Sequence, residues 1–112
     1  MNSLKTESLA TSMLKLAENV SDEDVAIIYS NIVNHIQEHA KGGYTRITVT
    51  IKDNRIFVKS VREKLFRNLC DDGFRVSIVD AFRHEDDNSI RVVYVFDIRW
   101  GPFEEKYCCV IV

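Results

Sequence analysis

The chain has little of what small proteins use for covalent cross-linking or membrane insertion. Its three cysteines are an odd number without Cys-x-x-Cys spacing, and two are adjacent, so they are poorly suited to structural disulfides. No apolar run approaches the roughly 20 residues of a membrane-spanning helix, and no N-terminal stretch resembles a secretory signal. One proline and four glycines leave no low-complexity linker. We therefore expect reduced thiols, a cytoplasmic location and no membrane association.

A strong charge bias is also missing. The formal net charge is −2 over 112 residues, and 46% of the residues are apolar, which fits a single domain over residues 1–112 with its own core. Overall charge gives no reason to expect avid binding to nucleic acid. The charges are unevenly distributed, however, because residues 42–75 carry eight Lys/Arg and four Asp/Glu while both flanking segments are acidic.

Alternating runs predict an antiparallel strand pair in the second half of the chain. Every second residue of Ile90–Trp100 is large and apolar, and such a period of two is typical of a half-buried strand. The run Phe74–Val79 repeats the pattern, and the polar segment Arg83–Ser89 between them predicts a hairpin connection. A shorter strand is predicted over Ile47–Ile51. Within the extension 101–112, the apolar segment Tyr107–Val112 predicts a fourth strand.

Two helices are predicted before the first strand. Apolar residues from Val25 to Ala40 recur at the spacing of one helical stripe, with Ser21 as the expected N-cap and Gly42 as the expected left-handed residue at the end. A weaker amphipathic stretch lies within residues 1–20. Its apolar positions are Leu9, Met13, Leu16 and Val20. We expect this first helix to dock on the domain or on a partner.

A third helix is predicted to end at Gly73, and its start has two interpretations. Asn54 could cap a long helix, which is the interpretation we favour. Alternatively, Ser60 and Glu63 could form a capping box, and Arg55–Lys59 would then pair with the first strand as a hairpin. In the favoured interpretation the helix joins the first two strands by a right-handed crossover.

These elements predict an α+β fold, a two-layer sandwich with the order α-α-β-α-β-β-(β). The mixed sheet would have three or four strands and helices on one face. Its other face would carry valines beside arginines, and a surface that is half apolar and rimmed by guanidinium groups is typical of protein contacts. Together with the C-terminal strand, the predicted interface comprises Val79, Arg91, Val93, Val95, Arg99, Tyr107 and Val110.

The pentapeptide His35–His39 has the His-x-x-Glu-His spacing of inverted zinc metallopeptidases, in which both histidines bind the metal and the glutamate activates water. Short motifs match by chance, however, and both histidines fall at the boundary of the apolar stripe. We expect no metal, no cofactor and no catalytic residue. A zinc-dependent hydrolase using His35, Glu38 and His39 is the least favoured hypothesis.

The basic segment 46–75 supports an alternative function. Arg55, Lys59, Arg62 and Arg67 could follow a phosphate backbone, as a nucleic-acid-binding accessory protein requires. The polar faces of helices are commonly charged, however, and the acidic flanking segments offer partners for ion pairs. This alternative therefore ranks below protein binding.

Several positions together resemble small α+β proteins encoded by tailed bacteriophages, in which a helix ends in a glycine, a later helix closes before an aromatic residue, and a final strand ends in tryptophan. The matching residues are Ala40–Gly43, then Leu69, Gly73, Phe74 and Val76, and then Ile98 and Trp100. The resemblance covers about residues 21–100. It implies the fold and a viral origin, and it implies no activity. This chain departs from the pattern by continuing for twelve residues past Trp100.

The leading hypothesis is a non-enzymatic protein-binding or assembly module. It would be an accessory or structural phage protein that forms a homo-oligomer, in the host cytoplasm or in the virion. Its expected partner is a second copy of itself or another protein, because an unpaired edge strand such as Tyr107–Val112 invites pairing with another chain.

Overall fold

The computed structural model of the chain describes residues 8–84, 90–102 and 108–112. It confirms the predicted α+β class, with helices packed against a four-stranded mixed sheet. In chain order the elements are α1 (Leu9–Lys41), β1 (Arg46–Ile51), a 3₁₀ turn (Asn54–Phe57), α2 (Lys59–Asp71), β2 (Arg75–His84), β3 (Ile90–Arg99) and β4 (Cys108–Ile111).

The sheet has the strand order β2-β3-β1-β4. Strand β3 is antiparallel to both β2 and β1, as predicted for the first of these pairs, and β4 runs parallel to β1. The predicted fourth strand is therefore present, and β2 and β4 are the two edges. Arg83 and His84 extend β2 and pair with Arg91 and Ile90, so the prediction that they belong to the connection was wrong. Residues 85–89 of that connection lie outside the described residues.

The core lies between the helices and one face of the sheet. In β1 the alternation is complete, because Ile47, Val49 and Ile51 have no exposed surface and the residues between them are half-buried. Burying each such side chain contributes about 1.5–3 kcal/mol. The helices supply Val25, Ile28, Ile32, Ile36, Val61, Leu65 and Leu69, and the other strands supply Phe96, Ile98 and Val110.

One continuous helix of 33 residues replaces the two helices predicted before β1. The predicted N-cap Ser21 lies inside α1, where its Oγ is 3.1 Å from the Oγ of Ser60. The actual cap is Ser8, which accepts a hydrogen bond from the backbone N–H of Thr11. A good capping residue does not end a helix by itself, and no proline or glycine interrupts the chain before Gly42. No helix among the described residues combines the length and apolarity needed to cross a membrane.

Both helices end close to the predicted glycines. The left-handed residue after α1 is Gly43, with φ of 90°, and not Gly42, with φ of −84°. After α2 it is Gly73, with φ of 97°, as predicted. At these two positions the backbone needs a conformation that residues with a Cβ rarely adopt.

The start of α2 matches neither interpretation of the sequence. Asp53, not Asn54, accepts a hydrogen bond from the N–H of Arg55 and begins the separate 3₁₀ turn. Val58 is then extended, with φ of −80° and ψ of 118°, and α2 begins after it without a side-chain cap. The guanidinium of Arg62 donates to the carbonyls of Ile56 and Phe57. These bonds satisfy the carbonyl groups at the end of the 3₁₀ turn, so a long helix from Asn54 is not required to satisfy them.

Candidate protein-interaction surfaces

The face of the sheet opposite the helices is named here the open face. Within the described residues, the buried residues of both helices pack on the other face. The strand register sets Val79, Val95, Thr50 and Ile111 in one row that crosses all four strands. Val79 and Ile111, at the two ends of this row, are 54% and 60% exposed. The open face therefore presents an apolar band to solvent.

One end of the open face is a row of three arginines, because Arg99 lies between Arg46 and Arg75. Arg46 binds Asp97 in a bidentate manner, with its Nε 2.8 Å and its second nitrogen 3.1 Å from the two carboxylate oxygens. Arg99 also reaches Asp97, at 3.4 Å, and the guanidinium of Arg75 donates to the carbonyl of Gly101. These bonds hold the guanidinium groups along the rim of the apolar band.

The residues predicted for the interface fall in different environments. Val79 and Val95 lie on the open face, exposed and half-buried respectively, and Arg99 lies at its rim. Val93 is on the same face but is only 8% exposed. Val110 faces the helices and belongs to the core cluster, since its register places it beside the buried Val49. The side chains of Arg91 and Tyr107 lie outside the described residues.

The N-terminal part of α1, residues Leu9–Val20, is named here the arm. All of its residues are exposed except Ser12, which is half-buried. The apolar stripe predicted from the sequence is fully displayed, with exposed fractions of 75%, 50%, 57% and 57% for Leu9, Met13, Leu16 and Val20. Their 4-3-4 spacing matches the seam of a coiled coil.

The arm makes the molecule elongated. A helix of 33 residues is about 50 Å long, whereas the six residues of β1 span about 20 Å. The radius of gyration is 17.8 Å, and a compact domain of this length has about 13 Å. A seam that no described residue covers thus projects beyond the core.

The four basic residues predicted for nucleic-acid binding are not equally available. Arg55 binds Asp53 at 3.1 Å and Asp24 at 3.4 Å. Arg62 is fixed by the two carbonyls of the 3₁₀ turn and lies 4.3 Å from the centre of the Tyr94 ring. Lys59 and Arg67 are exposed. Two of the four residues are therefore engaged in their own chain, and the segment does not form a continuous free basic track.

A hydrogen bond from a side chain to the backbone links the two histidines of the His-x-x-Glu-His motif. The Nδ1 of His39 donates to the carbonyl of His35 over 2.7 Å, and the His39 ring packs edge-on against Tyr44 with 5.5 Å between centroids. Among the described residues there is no group of three or more His, Cys, Asp and Glu residues that could hold a metal ion. The motif marks one turn of a packed helix.

A groove between α2 and the edge strand β2 is the feature that the sequence reasoning missed. Its volume is about 660 Å³, and the basic residues Lys59, Arg62 and Arg67 line it together with apolar residues of both elements. The one available signal was the predicted crossover, because a helix that leads into an edge strand runs beside that edge. The sequence did not show that β2 is an edge.

Comparison with known proteins identifies a phage family. The family model described as the Phage T4 Y10B protein matches residues 1–94. No curated protein and no solved structure matches the chain.

Proposed function

Because the chain belongs to the Phage T4 Y10B protein family, a family of small phage proteins, we propose that this phage accessory protein is a non-enzymatic assembly module whose arm pairs with the arm of a second copy. The expected place of action is the host cytoplasm or the virion. The single observation that carries the proposal is the exposed seam of the arm, with four large apolar side chains at least half exposed.

An isolated seam of this kind is energetically unfavourable. The arm is only about three turns long, and helices of that length are marginal in water when no packing supports them. Large exposed apolar stripes are typical of surfaces that bind other proteins. Pairing of two seams would bury both stripes by the knobs-into-holes packing that a 4-3-4 spacing permits.

The distribution of charge favours a second copy in antiparallel orientation. A parallel pair would place the acidic turn Asp22–Asp24 of one copy beside the same turn of the other. In an antiparallel pair Leu9 faces Val20, and the acidic turn lies just past the N-terminal end of the second copy's helix, which begins at Leu9. That end carries the positive end of the helix dipole. The resulting dimer has twofold symmetry, the commonest form of homo-oligomer.

The open face would then provide a second contact surface. Its apolar band and arginine rim have the composition of a protein interface, and Val79 and Ile111 are exposed apolar residues on it. In a dimer joined by the arms, the two open faces remain available to extend the assembly or to bind another virion component.

The experiment measures the molar mass by sedimentation equilibrium over a concentration series, for the wild type and two leucine variants. Leu16→Glu places a charge in the seam. Leu14→Glu is the matched control, because Leu14 is 59% exposed and Leu16 57%, while the two lie about 160° apart around the helix axis.

We expect Leu16→Glu to weaken dimerisation by roughly 100-fold or more, because each copy loses the burial of one leucine. Leu14→Glu should change it by less than about threefold. A strictly monomeric wild type at about 1 mM, or equal effects of the two variants, would contradict the proposal. If Val79→Asp weakens the oligomer and Leu16→Glu does not, the copies associate through the open face and not through the arm.

A separate measurement tests the orientation. Two variants, Leu9→Cys and Val20→Cys, are prepared with Cys70, Cys108 and Cys109 replaced by alanine, then mixed and oxidised. An antiparallel seam predicts that the mixed 9–20 disulfide exceeds either symmetric product, because these two positions face each other. Predominant 9–9 and 20–20 products would indicate parallel helices instead.

A further inference from the structure

The groove between α2 and β2 combines an apolar floor with an available sheet edge. Phe66 from the helix and Val76 and Ile78 from the strand form the floor. Ile78 is 36% exposed, although its cross-strand neighbour Phe96 is fully buried. The apolar surface of the core layer thus continues outward past β3 and stays accessible at β2.

Strand β2 offers its backbone as well as its side chains. It is the last strand of the sheet on this side, so among the described residues only β3 pairs with it. An unpaired edge presents a row of backbone donors and acceptors that an extended peptide can complete. When a helix runs beside such an edge, alternate side chains of the added strand point into the space between helix and sheet.

The rim of the groove is predominantly positive. Lys59, Arg62 and Arg67 lie along it, and among the described side chains that line it Glu63 is the one carboxylate. Lys59 approaches Glu63 only at 3.8 Å, and both side chains are largely exposed, so this pair is weak. Arg62 is already held in place by the two turn carbonyls. A ligand with carboxylates would therefore meet the exposed cations of Lys59 and Arg67, while Arg62 is engaged in its own chain.

The charges of the rim favour an acidic occupant over a second copy of β2. Two of the rim cations, Lys59 and Arg67, are exposed, and a second β2 would bring a segment with two arginines and one aspartate. Like charges repel, whereas carboxylates are attracted. The occupant that fits the edge is accordingly acidic and differs from β2 itself.

We infer that the groove between α2 and β2 binds an extended segment of another protein, in which every second residue faces the groove and these residues include both apolar and acidic ones. The segment adds a fifth strand to the sheet, its apolar side chains occupy the floor beside Ile78, and its carboxylates pair with the basic rim. The site is separate from the arm, and this inference does not depend on dimerisation.

The test uses the full chain carrying Leu16→Glu, so that loss of dimerisation and loss of peptide binding are read separately. The probe is a fluorescently labelled heptapeptide with glutamate at its first and seventh residues, leucine at its third and fifth and serine at the others, so that leucine and glutamate share one face. Its binding is measured by fluorescence anisotropy. Two further peptides serve as controls: one has the same sequence with alternate backbone nitrogens methylated, and the other has lysine in place of glutamate. Methylation removes the edge hydrogen bonds without changing the side chains.

We expect saturable binding of the Leu/Glu peptide and at least roughly tenfold weaker binding of both control peptides. Arg67→Glu should weaken binding roughly tenfold, because an attractive contact becomes a repulsive one. Lys52→Glu is the matched protein control, since Lys52 is an exposed cation of the same basic segment that lies beside the opposite edge, where its N–H donates to the carbonyl of Val112. Its effect should stay below about twofold.

Three outcomes would overturn the inference: no saturable binding at about 1 mM peptide, equal binding of the methylated peptide, or equal binding of the Leu/Lys peptide. A short oligonucleotide that displaces the peptide and binds more tightly would assign the groove to nucleic acid. Residual self-association of the Leu16→Glu protein that the peptide abolishes would assign β2 to a second copy.

Discussion

The two halves of α1 have similar apolar content and opposite surroundings. In the C-terminal half, Val25, Ile28, Ile32 and Ile36 are at most 5% exposed, whereas the four seam residues of the arm are at least 50% exposed. The difference arises because the core residues of the sheet pack on the C-terminal half of the helix, so only one half has a layer to pack against. An amphipathic pattern therefore shows that a face needs a partner, and it does not show whether the partner is in the same chain.

The largest expected effect comes from truncating the same kind of side chain in each half. Ile32→Ala should lower the free energy of unfolding by about 2–5 kcal/mol, because Ile32 is fully buried and its removal leaves a cavity. Leu16→Ala should lower it by less than about 0.5 kcal/mol in the monomer. Urea denaturation at concentrations where the protein is monomeric gives both values. A loss above about 1 kcal/mol for Leu16→Ala would mean that the arm is packed in its own chain.

Proline substitutions at two exposed positions of α1 compare the stability of its two halves directly. Asn34→Pro, in the packed half, should destabilise the protein by about 3 kcal/mol, because it removes a helical hydrogen bond and clashes with the preceding turn. Ala17→Pro makes the same change in the arm, where the helix can unwind locally at little cost to the core. We expect the urea midpoint to fall strongly for the first variant only. Circular dichroism should show lost helix in the second variant without lost cooperativity.

A smaller effect is expected at the first residue of the helix. Ser8 caps α1 through the N–H of Thr11, and replacing such a cap by alanine costs about 1 kcal/mol of helix stability. For Ser8→Ala this loss should appear as faster amide exchange in the first two turns of the arm and as no change near Ile32. Faster exchange throughout α1, including near Ile32, would show that the two halves unfold as one unit, which would break the distinction between them.

The smallest effect concerns the contact that links the middle of α1 to α2. The Nζ of Lys64 lies 2.9 Å from a carboxylate oxygen of Asp22, and the aspartate is largely exposed, so the pair is screened. Lys64→Ala should cost about 0.5 kcal/mol or less. Salt titration of the wild type and the variant checks this, because any difference in stability should vanish at high ionic strength.

The sequence was sufficient for the parts of the fold that short-range periodicity determines. Local chemistry was enough to predict the alternation of β1 and β3, the apolar stripe of α1 and the glycine after α2. The family resemblance rests on the same kind of local pattern, and the phage family match confirms it. The break at Ser21 was predicted wrongly because a capping residue permits a helix start without requiring one. The start of α2 depends on Arg62 reaching back to the carbonyl groups of Ile56 and Phe57, a contact that no local pattern shows.

The candidate surfaces could be predicted only in part. Alternation was enough to place Val79, Val95 and Arg99 on one face and to identify the apolar stripe of the arm. It did not show that Val110 packs in the core, because that depends on parallel pairing with β1. Predicting the groove would have required the knowledge that β3 lies between β1 and β2, because this order leaves β2 at the edge. Order of strands is a property of the whole sheet, and a single sequence does not reveal it.

The position of β1 between β3 and β4 has a consequence for synthesis on the ribosome. Both neighbours of β1 lie at least about 40 residues later in the chain. Until Ile90–Arg99 has emerged, β1 and β2 have no strand to pair with, and only helices can form. Closing such long loops before the pairing interactions are gained slows folding. A nascent chain ending before β3 should therefore be helical and without a sheet, and its Ile47, Val49 and Ile51 would lack the strands that pair with β1 in the native sheet.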